Sequence, residues 1–148
     1  MEFRSIAPAS DAYARELALR SEVLRQPLGL DLCDEDLSAE ADQQHFGLFD
    51  GETLRACVIA APINESTVKL RQMAVAPAFQ GQGLGRLLLE QVHARLRRQG
   101  CATIVLHARQ GAVGFYARLG YRSEGSTFTE VGIPHRRMRC HLTEPGTP

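Results

Sequence analysis

The chain has 148 residues, which suits one domain, and its 44% hydrophobic and 23% charged content is ordinary for a globular protein. Seventeen basic and seventeen acidic residues cancel, and a net charge of zero argues against a nucleic-acid-binding protein, which usually carries a basic excess. The longest apolar run, residues 57–63, is far shorter than the roughly 20 residues needed to cross a bilayer. We therefore expect one domain over residues 1–148, with no nucleic-acid partner and no membrane partner.

The cysteines and histidines show no metal-binding spacing. No CxxC, HxxxH or HxH pattern occurs, so we expect no metal. The cysteines are far apart in sequence, which favours reduced and mostly buried thiols in a cytoplasmic protein. They are Cys33, Cys57, Cys101 and Cys140. The N-terminus lacks the apolar segment of a signal peptide, which agrees with that expectation.

The first third of the chain predicts one strand and one helix before a polar segment. Residues 2–7 alternate weakly, as a short strand does. Ser10 or Asp11 can cap a helix, and that helix is expected to end before Pro27. Residues 31–44 are acidic and polar, which indicates a loop with a short helix.

A hairpin and a further strand come next. Residues 45–49 and 53–61 are apolar runs on either side of Asp50-Gly51, a dipeptide that favours a two-residue hairpin turn. Residues 67–75 form another predicted strand. This part of the chain is therefore expected to be sheet.

The second half alternates strands with helices. Leucines and a valine at helical spacing predict a helix over residues 84–99, closed by Gly100. The other predicted elements are a strand at 102–106, a helix at 112–119, strands at 121–123 and 136–142, and a frayed tail from 143. Strands early and a strand–helix–strand–helix unit later predict a mixed α/β fold around one central sheet.

The most informative segment is residues 73–86, in which a strand enters a glycine-rich loop and the loop enters the strongest helix. Free N–H groups and partial positive charge at a helix N-terminus favour an anion, and glycines let backbone approach a phosphate. A Walker A loop is excluded because Arg86, and not Lys, follows Gly85. The dinucleotide fingerprint GxGxxG is excluded because Gly81, Gly83 and Gly85 have the wrong last interval.

Two motifs resemble one enzyme family. Gln80-x-x-Gly83-x-Gly85 resembles the Q/R-x-x-G-x-G/A motif of the GCN5-related N-acetyltransferases (GNAT), whose loop binds the pyrophosphate of coenzyme A. Residues 115–121, Phe-Tyr-Ala-Arg-Leu-Gly-Tyr, resemble the second signature of that family, F-Y-x-x-x-G-F/Y, at the expected distance. Residues 132–138 also resemble the C-terminal strand of the ElaA-type branch.

The resemblance implies a fold and a reaction. The fold is an α/β GNAT fold: a mostly antiparallel twisted sheet of six to seven strands, splayed near its middle, with helices on both faces. The reaction is direct transfer of an acetyl group from acetyl-CoA to an amine of a small molecule or a protein, by a monomer or a homodimer. A non-catalytic acyl-CoA sensor with this fold stays open, as does an unrelated nucleotide-binding α/β domain.

The resemblance also implies residue roles. The Val75 N–H polarises the thioester carbonyl, and Tyr116 protonates the departing thiolate. The implied donor-binding residues are Met73, Ala74, Val75, Gln80, Gly81, Gln82, Gly83, Leu84, Gly85, Arg86, Gln110, Phe115 and Tyr116. Many relatives have an Asn close to the position of Gln110. This chain has none there, which puts one side-chain contact to the donor in doubt.

The general base and the acceptor site are less defined. His135, Glu130 and His107 are the candidate bases, with His135 preferred because imidazole titrates near neutral pH. The acidic segment 31–42 could attract a cationic amine, although such segments are more often solvated loops.

Overall fold

The structure is a computed structural model, and it describes residues 1–142. Seven strands form one mixed sheet in the order β1-β2-β3-β4-β5-β7-β6. The strands are β1 (Glu2–Ile6), β2 (Gln44–Asp50), β3 (Thr53–Pro62), β4 (Thr67–Val75), β5 (Thr103–Arg109), β6 (Arg122–Glu130) and β7 (Ile133–His141). β4 and β5 pair in parallel, whereas the β1–β2, β2–β3, β5–β7 and β6–β7 pairs are antiparallel. The predicted α/β class with a mixed sheet is confirmed.

The α-helices are α1 (Asp11–Arg20), α2 (Leu84–Arg98) and α3 (Val113–Ala117). The chain forms two compact units, one of residues 1–61 with 72–92 and the other of residues 62–71 with the segment from 93 onward. β4 and α2 therefore contribute residues to both units. Within residues 1–142, the helices are too short or too polar to cross a bilayer.

The first unit has its core between α1 and the strands β1 to β4. Leu19 of α1 is buried with a set of residues from those strands, namely Ile6, Phe49, Leu54, Cys57 and Ala74. Ser10 caps α1 as predicted, and its Oγ accepts the Tyr13 N–H at 3.1 Å. The expectation that this helix ends before Pro27 is confirmed: α1 ends at Arg20, a π turn follows over Ser21–Arg25, and Pro27 lies in a separate 3-10 turn, Gln26–Leu28. Pro27 fits there because the first turn of a helix needs no N–H from it.

The hairpin turn lies one residue later than predicted. Asp50 pairs with Thr53, so the turn consists of Gly51 and Glu52 instead of Asp50-Gly51. The register shifts between Leu48 and Phe49, and this bulge displaces the pairing by one residue. Gly51 has a φ of 59°, the left-handed conformation that hairpin turns require and glycine supplies easily.

Buried charges join α1, the acidic segment and β2. Arg20 donates to Glu16 at 2.9 Å and makes a bidentate pair with Glu40 at 2.7 Å. The imidazole Nδ1 of His45 lies 2.9 Å from Glu16, and Tyr13 donates to Glu40 at 2.8 Å. Glu16, Glu40 and His45 place possible metal-ligand atoms within 4.8 Å of one another. Arg20 already supplies the cation between the two carboxylates, so we assign this group as an ion-pair network.

The second unit contains β5 between β4 and β7, with β6 at the edge. The predicted strands at 102–106, 121–123 and 136–142 are longer in the structure, since β5 reaches Arg109 and β6 and β7 meet in a hairpin. Serine, threonine and glutamate along β6 concealed its extent, because both of its faces are polar. The predicted helix at 112–119 is shorter: a 3-10 turn, Gln110–Ala112, precedes α3.

Other expectations concern single residues. All four cysteines are free thiols; Cys57 and Cys140 are buried, whereas Cys33 is exposed. The long helix predicted at 84–99 is confirmed as α2. The frayed tail predicted from 143 lies outside the described residues.

Candidate active site

The end of β4 leaves backbone N–H groups available for a ligand. The parallel ladder with β5 ends at the pair Leu70 and Leu106, although β4 continues to Val75. On the opposite edge, the Ala76 N–H donates to the Arg55 carbonyl of β3 at 2.7 Å. Successive N–H groups of a strand point to opposite edges, so the Val75 N–H points away from β3.

A strained residue, Gln72, precedes that N–H. Its φ is 55°, which is uncommon for a residue with a side chain and costs about 1–3 kcal/mol. Both of its polar ends are held: Arg25 donates to its side-chain oxygen at 3.1 Å, and the Cys57 thiol lies 3.8 Å from its carbonyl oxygen. Arg25 is itself buried and donates to Glu35 at 3.1 Å. These contacts hold Gln72 in its left-handed conformation near the end of β4.

The loop after β4 is tied back to the strand by its own side chains. The Gln80 amide donates to the Val75 carbonyl at 3.0 Å, and the Gln82 amide donates to the Ala78 carbonyl at 3.1 Å. The guanidinium of Arg55 lies 4.4 Å from the centre of the Phe79 ring. These side-chain contacts therefore hold the loop in a defined conformation and leave its backbone exposed.

Glycines shape the surface of this loop. Gly81 and Gly83 have φ values of 78° and 82°, and a Cβ added at either residue would meet no atom within 4 Å. The backbone conformation therefore requires glycine, while the space in front of the loop stays open to a ligand. The Gly83 carbonyl also accepts the Leu87 N–H at 3.0 Å. The N–H groups of the residues between Gly83 and Leu87 therefore have no partner within the helix. Free N–H groups at the start of a helix, preceded by glycines, are a favourable environment for an anion.

Arg86 lies in the first turn of α2 and is largely exposed. Its Nε donates to Glu90 at 2.8 Å, an i,i+4 pair on the same helix. An exposed pair of this kind contributes only a few tenths of a kcal/mol. The guanidinium can therefore leave Glu90 for a phosphate at little cost.

Tyr116 lies in α3, within the second unit. Its ring makes edge contacts with Phe115 at 5.0 Å and with Tyr121 at 5.6 Å, and the Tyr121 hydroxyl is 2.7 Å from His93 Nε2. Burial raises the pKa of Tyr116 to about 12, so its phenol keeps its proton well above neutral pH.

Gln110 begins the 3-10 turn that leads into α3. Its side chain is exposed. An accessible side-chain amide therefore lies at the position where the family resemblance left a contact to the donor in doubt.

The structure brings together the three candidate bases. His107 Nδ1 lies 3.0 Å from Glu130 Oε1, and His135 Nε2 lies 3.8 Å from Glu130 Oε2. The Phe128 ring contacts His107 edge-on at 4.9 Å and stacks on His135 at 6.0 Å. Burial alone would raise the pKa of the Glu130 carboxyl, but the hydrogen bond from His107 and the charges of His107, His135 and Lys69 together hold that pKa below its usual value.

The predicted site residues fall in both units. Those on β4, in the loop and at the start of α2 lie in the first unit, and Gln110, Phe115, Tyr116 and His135 lie in the second. Sequence analysis missed Arg25, Cys57 and Phe128. Phe128 could have been found from its i,i+2 spacing to Glu130, which puts both on one face of a strand. Arg25 and Cys57 carry no comparable local signal.

The acidic segment is used inside the first unit. Glu35 and Glu40 pair with arginines. Asp31 accepts the Cys33 N–H at 2.9 Å, and Asp36 accepts the Ser38 N–H at 3.0 Å. These four carboxylates therefore stabilise the segment itself.

Comparisons with known proteins agree with this geometry. A family model described as an acetyltransferase (GNAT) domain matches residues 18–142. The uncharacterised N-acetyltransferase YitI of Bacillus subtilis is 26% identical over 121 residues, which cover 78% of this chain and 81% of YitI. The chain spans only about half the length of two other Bacillus subtilis relatives, 49% and 52%, at 33% and 32% identity.

Solved structures share the fold. Escherichia coli ElaA superimposes with a TM-score of 0.80 at 19% identity, over 94% of this chain and 98% of ElaA. A GNAT family acetyltransferase from Elizabethkingia anophelis, solved with acetyl-CoA bound, gives a TM-score of 0.71 at 18% identity, over 95% and 97% of the two chains. With a family model that spans most of its length, this chain belongs to the GNAT acetyltransferase family.

Proposed function

We propose that this chain is an acyl-CoA-dependent N-acyltransferase that transfers an acetyl group from acetyl-CoA directly to an amine. The observation that carries the proposal is the end of β4, where a strand edge with an outward Val75 N–H runs into a glycine cradle at the start of α2. One family model spans residues 18–142, which supports a single acyltransferase domain.

The donor would be held mainly by backbone. N–H groups from residues 80–86 would bind its diphosphate, and those of the β4 end would bind its acyl and pantetheine portion. The open space in front of Gly81 and Gly83 supports this assignment. That the Elizabethkingia relative was solved with acetyl-CoA bound supports acetyl-CoA as the donor.

The reaction needs few catalytic groups from the protein, because the thioester that acetyl-CoA supplies is already activated. The Val75 N–H would donate to the carbonyl oxygen as negative charge develops there, worth roughly 3–4 kcal/mol for one well-placed donor. The Tyr116 hydroxyl would give its proton to the departing sulfur, and a group in the His107, Glu130 and His135 cluster would take the proton of the amine. Holding both substrates in reach supplies much of the remaining acceleration.

Donor binding can be tested without knowledge of the acceptor. In a thermal-shift series with coenzyme A, acetyl-CoA, ATP and NAD, we expect acetyl-CoA at 100 times its Kd to stabilise the chain by about 2.7 kcal/mol. For a chain of this size that is an increase in Tm of about 5–10 °C. A Gly83→Val variant, which cannot keep its positive φ without strain, serves as the control. A larger shift with ATP or NAD than with coenzyme A would favour the unrelated nucleotide-binding domain.

Turnover separates an enzyme from a sensor. Release of free thiol from acetyl-CoA would be followed with a panel of amines: n-butylamine, benzylamine, lysine methyl ester and a lysine-containing peptide. The proposal expects thiol release that depends on the amine and that Tyr116→Phe lowers by about 10²- to 10⁴-fold. Tight binding with no release for any amine would favour the acyl-CoA sensor.

A further inference from the structure

The two histidines of the second unit differ in how their ring nitrogens are used. His107 Nδ1 faces the Glu130 carboxylate, which only accepts hydrogen bonds, so this nitrogen carries the hydrogen. In the neutral ring the lone pair is then on Nε2. His135 is instead held at Nδ1 by the Ile133 carbonyl, 2.9 Å away, and presents Nε2 to Glu130.

Exposure separates the same two residues. His135 has only 3% of its surface exposed, whereas 21% of the His107 side chain is accessible. A group that exchanges a proton with an incoming amine must be reached by it. His107 meets this requirement, and His135 is better placed to support its neighbours.

His107 also lies just beyond the end of the β4–β5 ladder. It follows Leu106, whose pairing with Leu70 is the last of the β4–β5 ladder. Beyond this pair, β5 remains hydrogen-bonded to β7, with His107 opposite Arg137. His107 is thus the first residue of β5 beyond the parallel ladder.

The charges around His107 come from three neighbouring strands. The carboxylate of Glu130 on β6 contacts the ring, and the cationic Arg137 on β7 is the register partner of His107. Arg137 is itself paired with Glu124 at 2.7 Å. Lys69 of β4 interacts electrostatically with Glu130, and burial together with Arg71 and Arg137 lowers the pKa of Lys69. Charges of both signs therefore surround the His107 ring.

We propose that His107 is the general base of the acyl transfer, that Glu130 orients its ring, and that His135 with Phe128 positions Glu130. This inference rests on the proposed function and deepens it. As the amine nitrogen bonds to the acyl carbon, its proton moves to His107 Nε2. The carbon–sulfur bond breaks with its electron pair on sulfur, which takes a proton from Tyr116. The amide and the free thiol are released, and His107 and Tyr116 return to their starting protonation by exchange with water.

The first test needs no substrate. Long-range proton–nitrogen NMR on labelled protein identifies the tautomer of each histidine, and we expect the neutral His107 to carry its hydrogen on Nδ1. Glu130→Gln should abolish that preference. A His107 ring with its hydrogen on Nε2 would overturn the proposal, because it would then have no lone pair to offer there.

The second test is kinetic, with the best acceptor of the amine panel or, failing that, with water in acetyl-CoA hydrolysis. His107→Gln should lower kcat by about 10²- to 10⁴-fold and remove the acidic limb of the pH–rate profile. Glu130→Gln should lower kcat by about 10- to 10⁴-fold. His107→Ala should recover activity on addition of free imidazole. A pH profile left unchanged by His107→Gln would overturn the assignment.

His141→Gln is the matched control, since His141 lies on the same strand as His135 and contacts Thr103. Its pH profile should match that of the wild type. Calorimetry with coenzyme A distinguishes failure of this inference from failure of the proposed function. If His107→Gln binds coenzyme A as the wild type does and keeps its acidic limb, only this inference fails. If the wild type does not bind coenzyme A, the proposed function fails.

Discussion

Two glutamate–histidine pairs in this molecule have nearly the same length and opposite surroundings. His45 Nδ1 lies 2.9 Å from Glu16, and His107 Nδ1 lies 3.0 Å from Glu130. The first pair is fully buried, and His45 Nε2 is also used, 2.8 Å from the Glu40 carbonyl. The second pair is partly exposed.

The difference shows what decides the role of an imidazole. Both partners of His45 accept hydrogen bonds, so both of its nitrogens donate and the ring is a buried cation. With Arg20 it balances the charges of Glu16 and Glu40. His107 has Nδ1 engaged by Glu130, and Nε2 is the nitrogen that the proposal assigns to proton transfer. We therefore expect changes at the first pair to affect stability and changes at the second to affect rate.

The largest effect is expected from Arg20→Met. This change removes the cation between two buried carboxylates and should lower the free energy of unfolding by about 3–5 kcal/mol. Guanidinium unfolding would measure it. Glu130→Gln, at the partly exposed pair, should cost less than about 1 kcal/mol. Equal losses for the two variants would contradict the comparison.

The pH dependence of stability should come from the buried pair. Burial alone would lower the pKa of His45, but its hydrogen bonds to Glu16 and the Glu40 carbonyl raise that pKa above its usual value. The stabilisation is therefore complete below about pH 6.5, the unfolded value, and is lost as the pH rises through the raised folded value. Denaturation midpoints between pH 6 and pH 9 should fall, and His45→Gln should flatten this decline. His107→Gln should leave it unchanged.

An intermediate effect is expected at the buried Arg25, which pairs with the partly exposed Glu35 and contacts Gln72 near the proposed donor site. Arg25→Met would free the Gln72 side chain and let its strained backbone relax, and we expect KM for acetyl-CoA to rise about tenfold, equivalent to about 1.4 kcal/mol. Arg25→Lys keeps the charge without the planar fork and should recover only part of the loss. An unchanged KM in Arg25→Met with a lowered Tm would mean that Arg25 supports the fold alone.

The smallest effect is expected from Phe128→Leu, which removes ring contacts to both histidines of the second unit. Such contacts are worth about 0.5–1.5 kcal/mol, so Tm should fall by about 1–6 °C. Steady-state kinetics would show a decrease in kcat with little change in KM for acetyl-CoA. A change in donor KM instead would place Phe128 with the donor site.

Elements with local causes could be predicted. α2 was found from its repeating leucines, and the loop before it from glycines whose left-handed φ values any such loop needs. The extents of β6 and β7 and the position of the hairpin turn were missed, because a bulge and a polar strand leave no periodic pattern. The shorter α3 likewise depends on the 3-10 turn that precedes it.

The sequence by itself determined the fold class, the α2 helix and the glycine-rich loop before it, because helical periodicity and glycine conformation depend on neighbouring residues. Only the tertiary structure decided which charges meet. Arg25 and Gln72 are 47 residues apart, Glu16 and His45 are 29 apart, and His107 and Glu130 are 23 apart. Pairing of strands and packing of α1 bring these groups within hydrogen-bond distance. The burial of each pair, and the number of ring nitrogens already engaged, then distinguish the structural histidine from the one that we propose to act in catalysis.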